Sequence, residues 1–487
     1  MGALAFASRR PLVPVLAVTL LARLPSLWEP RWAPDEGTLS AVGQGILHGQ
    51  RLYAEIWDNQ APLVYAWMAG VLAVTHGWHP GMQAILAGQV LLATAMVYVL
   101  AERIGARAAP AAVLFGLVLA LPVVEGNLQN SEIIGLPFLL AGFVLGTSGG
   151  MVSALLAGVL LAAAALSQPG FALQSLAVAW YLARSGKPLR LLPVVAGGVV
   201  AGVFAVIALV VAGSWTAYVA TSSDDRAYLV WANGGADLAG LSLLLRLGPL
   251  ALALLAGVQL SIERDTAATR LLGPWLPFSV ATAVLTPRGF MHYSLLVAAP
   301  ICLVFGVWIG WRTLAPALAA TVLALQVLLF LPRLEMFMLG AWPSPSFAYG
   351  PFGWAQLPTY YGNWAGVTSG SMSRLHYERA FPNEPDRVEA LARAMQVEGR
   401  LAVWGDRPWL YVISDRRPAE RYVVHNTAYR LQPRAAATSV AAIRRARPEY
   451  VVLVDRAPPP LRAVLDREYD RLRSFPPPWP TYGLRHG

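Results

Sequence analysis

Residues 29–65 read EPRWAPDEGTLSAVGQGILHGQRLYAEIWDNQAPLVY, and they follow directly on the first long apolar segment of the chain, 11–28. Two adjacent carboxylates, Asp35 and Glu36, therefore lie where a membrane-spanning helix would emerge from the bilayer. Ionisable side chains held at a membrane boundary are costly and usually functional. This stretch thus predicts a membrane protein that performs chemistry near the bilayer surface.

The composition is that of a polytopic membrane protein. Hydrophobic residues make up 56% of the 487 residues and charged residues 13%, against roughly 45–50% and 25% in soluble domains. The net charge of +10 could indicate nucleic acid, but the basic residues are spread over connections between apolar segments and over the C-terminal region. That distribution suits a membrane surface. We therefore expect membrane lipids as partners and no nucleic acid.

The apolar segments predict about eleven transmembrane helices. They lie at 11–28, 82–101, 109–124, 132–148, 151–167, 169–184, 191–213, 239–260, 271–286, 294–312 and 314–332. Basic residues concentrate in alternate connections, which places the N-terminus in the cytoplasm. If the apolar segment 61–78 crossed the membrane, every later loop would change sides and the charge bias would be lost. We therefore interpret it as an interfacial or re-entrant helix within one outer loop, 29–81. Arg23 is close enough to a span end to reach the surface.

The chain divides into three predicted segments: a transmembrane domain over 1–332, an irregular connector rich in Pro, Gly and aromatics over 333–375, and an α/β domain over 376–487. In the last segment, VEALARAMQ and VAAIRRAR are typical of helices, whereas LAVWG, RYVVH and EYVVLVD are typical of strands. With eleven spans before it and a cytoplasmic N-terminus, we expect this domain on the extracytoplasmic side of the membrane.

The first candidate site is the pair of carboxylates after Pro34. Apolar residues from Leu39 to Leu47 recur at helical spacing, which predicts a short helix lying along the membrane and beginning near Asp35 and Glu36. The helix dipole favours ionised carboxylates at this end. An ionised carboxylate can act as a general base or bind a cation. Alternatively, both residues simply cap the helix.

Three other polar groups fall on the predicted outer side. The second outer loop carries Glu125, Asn127, Gln129, Asn130 and Glu132, which could line a pocket, although Asn130 could also merely cap a helix. A later boundary carries Arg288, His292 and Tyr293, which could hold a lipid phosphate, although Tyr293 also suits an interfacial anchor. The third group is the break Ser167-Gln168-Pro169-Gly170.

Metal ligation is only weakly indicated. The seven histidines are scattered, and none has a partner at zinc spacing. A cation between Asp35 and Glu132 would have oxygen ligands, which suits magnesium or manganese without requiring either. We therefore expect no required cofactor, with a divalent cation as an option.

These motifs resemble bacterial glycosyltransferases of the GT-C superfamily. The run DEGTLSAVGQGILHGQRLYAEIWDNQAPLVYAW at 35–67 is similar to the first outer loop of protein O-mannosyltransferases (family 39) and lipid A aminoarabinose transferases. Four other pieces occur in the family's order: LQNSEI at 128–133, SQPG at 167–170, HYSLLVAAP at 292–300 and VWGDRPWLYVISDRRPAERY at 403–422. The resemblance covers nearly the whole chain.

The resemblance implies a monomeric α-helical polytopic enzyme of the bacterial cytoplasmic membrane. It would transfer a sugar, with inversion, from a polyprenyl-phosphate-linked donor to a lipid, glycan or protein hydroxyl of the cell envelope on the outer side. Asp35 would be the base, with Glu36 beside it, and Glu132 would orient the acceptor or assist Asp35. Donor contacts would come from Arg288, His292, Tyr293, Arg51 and Gln60, and pocket contacts from Asp58, Asn127, Asn130 and Gln168.

This chain departs from the family at two positions. Gln60 and Ser167 stand where the family commonly has lysines, so Arg288, with Arg51 or Arg226 in reserve, would bind the donor phosphate, or the donor differs. Two alternatives remain open. A transporter or flippase for lipid-linked glycans would predict two related halves, and an inactive relative would serve as a scaffold.

Overall fold

The structure is a computed structural model that describes residues 11–222, 239–285, 291–310, 356–425, 428–429, 432 and 434–485. Within these residues the chain forms two compact units. Of the described residues, unit 1 comprises those within Met1–Leu27, Gln83–Ala205 and Trp231–Pro358, and unit 2 comprises those within Trp28–Met82, Val206–Val230 and Thr359–Gly487. Each unit is therefore assembled from separate stretches, unlike the three consecutive segments expected from sequence.

Helices account for most of the described residues up to Gly310. They are α1 Leu12–Arg23, α2 Pro34–Leu47, α3 Pro62–Thr75, α4 His79–Ile104, α5 Ala108–Ala120, α6 Ser131–Gly146, α7 Met151–Ser167, α8 Phe171–Arg184, α9 Leu191–Val211, α10 Ala239–Glu263, α11 Ala267–Leu285 and α12 Leu295–Gly310. A helix lies at ten of the eleven predicted spans, and the remaining span, 314–332, lies outside the described residues. The first outer loop contains α2 and α3, where sequence predicted two short helices.

Three described stretches are long and apolar enough to cross a membrane: His79–Ile104, Pro188–Val211 and His292–Gly310. Shorter apolar helices accompany them, among them α3 with 14 residues. At 1.5 Å per residue α3 is about 21 Å long, short of a hydrocarbon core of about 30 Å. Its length agrees with an interfacial or re-entrant helix, and the sidedness of the loops stays a prediction.

The core of unit 1 is apolar and tightly packed. Helix α6 packs on α7, α10 on α11, and α12 on both α5 and α11. The rings of Phe143 and Trp275 lie 4.0 Å apart between centroids. A Cβ added to Gly158 of α7 would lie 1.9 Å from the carbonyl oxygen of Val194 in α9. Glycine is therefore required at this helix crossing, as is common in membrane bundles.

Arg23, at the end of α1, is buried in unit 1 rather than extended to the surface. It is 1% exposed, and its Nη1 donates to the carbonyl oxygens of Leu119, at 3.0 Å, and Gly126, at 2.7 Å. The expectation that this side chain would reach the membrane surface is wrong. Its partners are backbone carbonyls of a distant segment, which no local pattern indicates.

The C-terminal part of unit 2 is an α/β domain. Its elements are α13 Leu357–Ser369, α14 Arg374–Arg379, α15 Pro385–Ala394, β1 Leu401–Trp404, α16 Trp409–Ile413, α17 Ala435–Ala446, β2 Tyr450–Leu453, α18 Pro459–Glu468, β3 Tyr469–Arg471 and β4 Thr481–Leu484. The strands form one sheet in the order β1-β2-β4-β3, with β1 parallel to β2 and β4 antiparallel to both β2 and β3. Two predicted strands, LAVWG and EYVVLVD, and both predicted helices are confirmed.

Two expectations for this region are wrong. RYVVH, at 421–425, forms only an isolated bridge between Tyr422 and Trp57, because its apolar residues are buried in a loop rather than paired in the sheet. The predicted irregular connector contains helix α13 in its described part. Tyr360 of α13 donates a hydrogen bond to the buried carboxylate of Glu29, which ties this helix to the start of the first outer loop.

Candidate functional site

The carboxylates of the first outer loop lie in the first turn of α2. Ala33 before the helix is extended, and Pro34 occupies the first helical position, where its missing N–H costs nothing. The position of both acids at a helix start is therefore confirmed. Their environments differ, because Asp35 is exposed whereas Glu36 is 1% exposed. Of the two neighbours, Asp35 is the carboxylate that an incoming molecule can reach.

Glu36 contacts a buried histidine that sequence analysis did not single out. Its Oε2 lies 3.7 Å from Nε2 of His79, at the start of α4. His79 also packs edge-on against Trp409, with ring centroids 5.8 Å apart. The three residues are widely separated along the chain, so their spacing carried no signal of the cluster.

Trp409 fixes the start of α2. Its Nε1 donates to the carbonyl oxygen of Ala33 at 2.8 Å. A Cβ added to Gly37 would lie 2.9 Å from Cδ1 of Trp409, so the absence of a side chain at residue 37 allows the indole to pack closely. The tryptophan belongs to α16, within the VWGDRPWLY run of the C-terminal domain. The helix that carries Asp35 is thus packed directly against that domain.

Arg31 completes this cluster. Its Nη2 donates to the carbonyl oxygen of Gly77 at 2.7 Å, its Nη1 lies 3.4 Å from Oε1 of Glu389, and its guanidinium lies 6.0 Å from the ring centroid of Trp409. Burial lowers the pKa of Arg31, whereas the nearby carboxylates of Glu389 and Glu36 raise it. A guanidinium stays protonated at neutral pH, so Glu36 has a fixed positive charge in its vicinity.

Asp58 is part of a buried tyrosine network in the same loop. The Tyr65 hydroxyl donates to Oδ2 of Asp58 at 2.8 Å and accepts from the backbone N–H of Gln60 at 2.8 Å. The Tyr53 hydroxyl donates to the Gln60 carbonyl at 2.7 Å. The backbone of Gln60 is therefore held on both sides while its side chain is exposed. Burial raises the pKa of Asp58, and its hydrogen bonds oppose that rise.

We expect the Asp58→Asn variant to be more stable than the unsubstituted protein at pH 7. Because burial raises the pKa of Asp58 in the folded state, ionisation of this group destabilises the fold as pH rises above its ordinary value of 3.8. Asparagine cannot ionise but can still accept the Tyr65 hydrogen bond. Melting curves should show a midpoint higher by about 2 °C at pH 7, with a smaller difference at pH 4. A lower midpoint at pH 7 would contradict this account.

Arg51 forms an ion pair with Glu55. Its Nε and Nη2 donate to Oε1 of Glu55 at 3.1 and 2.9 Å, and both side chains are exposed. This ion pair competes with any phosphate for the Arg51 guanidinium. The other arginines considered for the donor phosphate, Arg288 and Arg226, lie outside the described residues.

The second outer loop brings two candidate residues together in unit 1. The Asn130 side chain accepts from the backbone N–H of Ile133 at 2.9 Å, so the alternative that Asn130 caps this helix is confirmed. Glu132 is 1% exposed, and its Oε1 accepts from Nε2 of Gln168 at 2.6 Å. Its Oε2 accepts from the Ser131 hydroxyl at 3.1 Å. Glu132, Gln168 and Ser131 thus form a buried polar network, and Asn127 of the same loop is also fully buried, while the pocket itself stays a prediction.

His292 forms a second buried acid–histidine pair in unit 1. Its Nδ1 lies 2.7 Å from Oε2 of Glu125, and its ring packs edge-on against Tyr293 with centroids 4.7 Å apart. From sequence, His292 was grouped with the residues expected at the donor phosphate, and Glu125 with the polar residues of the second outer loop. Their pairing was not predicted. Across the residues that the structure describes, no group of three or more His, Cys, Asp or Glu side chains could hold a metal ion. The divalent cation stays a prediction.

The chain matches no protein-family model and no curated protein sequence. It does share its fold with solved structures. The crystal structure of ArnT from Cupriavidus metallidurans bound to undecaprenyl phosphate has a TM-score of 0.54 at 11% sequence identity, covering 96% of this chain and 97% of that one. ArnT from the same organism in the apo state gives a TM-score of 0.53 at 14% identity, covering 98% of each chain. The chain therefore shares the fold of ArnT, and the predicted helical architecture with a small C-terminal α/β domain is confirmed.

Proposed function

We propose that this protein is a membrane glycosyltransferase that moves a sugar from a polyprenyl-phosphate-linked donor to a hydroxyl of a cell-envelope acceptor. The observation that carries the proposal is the fold shared with ArnT over nearly the full chain, since that neighbour was crystallised with undecaprenyl phosphate. The exposed Asp35 at a helix N-terminus, beside the buried Glu36, supports it.

In the proposed reaction the acceptor oxygen attacks the anomeric carbon of the sugar. Asp35 takes the hydroxyl proton as the new carbon–oxygen bond forms. The bond between the anomeric carbon and the phosphate oxygen breaks, and its electron pair leaves with the polyprenyl phosphate. Attack from the side opposite the phosphate inverts the anomeric configuration. The dipole at the start of α2 favours an ionised Asp35, so the base is ready before the acceptor binds.

The remaining candidate residues take supporting roles in this proposal. Glu132 orients the acceptor or assists Asp35, and it is itself held by Gln168 and Ser131. The phosphate that leaves carries negative charge, which cationic side chains stabilise in the transition state, and we assign this role to Arg288. We further propose that the protein acts as a monomer on the outer side of the bacterial cytoplasmic membrane.

The proposal is tested by reconstituting the purified full chain in lipid nanodiscs with radiolabelled undecaprenyl-phosphate sugars and a cell-envelope extract. We expect label to move to an acceptor while an equal amount of undecaprenyl phosphate is released. In sealed vesicles, movement of an intact lipid-linked sugar across the bilayer without release of the phosphate would support the flippase alternative instead.

The Gln168→Leu variant tests the pocket residue nearest to Glu132. Leucine removes the 2.6 Å hydrogen bond to Glu132 at similar side-chain volume, so the carboxylate loses its main orienting donor. We expect turnover to fall about tenfold, whereas Gln168→Asn at the same position, which keeps an amide, should fall less. Turnover of the leucine variant equal to that of the unsubstituted protein would remove Gln168 from the site.

A further inference from the structure

The sheet topology of the C-terminal domain brings the last turns of two helices to the same end. Helix α17 connects β1 to its parallel neighbour β2. Helix α18 connects β2 to β3, which also runs parallel to β2 because both pair antiparallel with β4. Right-handed crossovers in one direction place both helices on the same face of the sheet, and the two are in contact. Their C-terminal ends therefore lie side by side.

The sides of these helices that line one groove repeat one pattern. Along α17 the stripes Ala436-Val440-Arg444 and Ala437-Ala441-Arg445 each end in arginine, and along α18 Pro460-Val464-Arg467 does the same. Together with Pro458 these residues line an open groove of about 730 Å³. The groove thus has an apolar floor and three guanidinium groups at one end, and its lining includes no acidic side chain.

The three arginines of the groove carry more positive charge than the two helix ends can offset. Each helix C-terminus carries roughly half a negative charge, so two helix ends offset about one positive charge. Arg467 lies 3.5 Å from Oε1 of Glu468, which offsets another. In the described part of the chain, Arg444 and Arg445 form no ion pair. A net positive charge remains at the end of an apolar groove.

We propose that this groove binds an anionic phospholipid, with its phosphate at the three arginines and its apolar part along the floor. Guanidinium groups bind phosphate oxygens through paired charge-assisted hydrogen bonds, and the Ala, Val and Pro side chains of the floor offer only apolar contact. The occupant is a lipid rather than an acidic peptide, because the floor presents no side-chain hydrogen-bonding group and the same chain carries helices long and apolar enough to cross a phospholipid bilayer. The proposal does not depend on the transferase activity.

The test uses the full chain with the photo-crosslinking residue p-benzoylphenylalanine in place of Ala441, reconstituted with either phosphatidylglycerol or phosphatidylcholine of the same acyl chains. We expect mass spectrometry to find phosphatidylglycerol attached at residue 441 about tenfold more than phosphatidylcholine. The variant R444Q/R445Q/R467Q should lose this preference without a change in melting temperature, because all three arginines are exposed.

The matched control is R456Q/R462Q/R473Q, which removes the same charge from exposed arginines of the same domain that do not line the groove. It should keep the phosphatidylglycerol adduct. Equal loss in both triple variants would mean general attraction to a negative surface and would overturn the site. Equal labelling by the two lipids, or an adduct with a protein in place of lipid, would overturn it as well.

Discussion

The Asp35→Asn variant should transfer sugar about a thousandfold more slowly than the unsubstituted protein, within the range that a positioned general base contributes. Asparagine has nearly the same shape but cannot accept the hydroxyl proton at neutral pH. Because Asp35 is exposed and lies in the first turn of α2, the substitution should leave the melting temperature nearly unchanged. The measurement is single-turnover release of undecaprenyl phosphate from a labelled donor in nanodiscs.

Two further variants make this test specific. Glu36→Gln changes the neighbouring acid, which is buried against His79. It should lower turnover about tenfold or less, because Glu36 affects only the position of Asp35 and does not take the proton itself. Asp466→Asn changes an exposed acid of the C-terminal domain and should have no effect. If Glu36→Gln were the more damaging of the two loop variants, the base would be Glu36 and the assignment of Asp35 would be wrong.

Local patterns predicted much of the fold of this chain. Apolar length located the helices, and the residue types at helix starts located Asn130 as a cap and Asp35 and Glu36 in a first turn. These signals lie within a few residues of their consequences. The same reasoning wrongly predicted a strand at 421–425. A short apolar run indicates that a segment will be buried, but it does not show whether that segment forms a strand or a loop.

The partners of the site residues could not be predicted in this way. Nothing near Glu36 shows that it will be buried while its neighbour is exposed, and nothing near His79 indicates Glu36 as its contact. Nothing in the sequence near Glu125 or His292 indicates that these two residues will pair either. In each case tertiary packing brings together residues that lie far apart in sequence, so a single sequence carries the residue types but not their pairing.

Changes at Trp409 should show whether the C-terminal domain positions α2, the helix that carries Asp35. Trp409→Ala removes a buried indole that contacts Ala33, Gly37 and His79, and should lower the free energy of unfolding by about 3–5 kcal/mol. Trp409→Phe keeps a ring but removes the donor to the Ala33 carbonyl, at a smaller cost of about 1 kcal/mol. The phenylalanine variant is therefore the informative one, because it should remain folded.

For Trp409→Phe we expect turnover to fall about tenfold with the KM for the lipid donor unchanged, because the start of α2 would be held less firmly while no proposed donor contact is touched. The control is Trp479→Phe, a buried tryptophan of the same domain that packs against Arg407. It should lose comparable stability but keep normal turnover. Equal loss of turnover in the two variants would mean that the domain supports only folding. A loss of turnover in the Trp409 variant alone would mean that the domain also sets the position of Asp35, since the Trp409 indole donates a hydrogen bond to Ala33, the residue before α2.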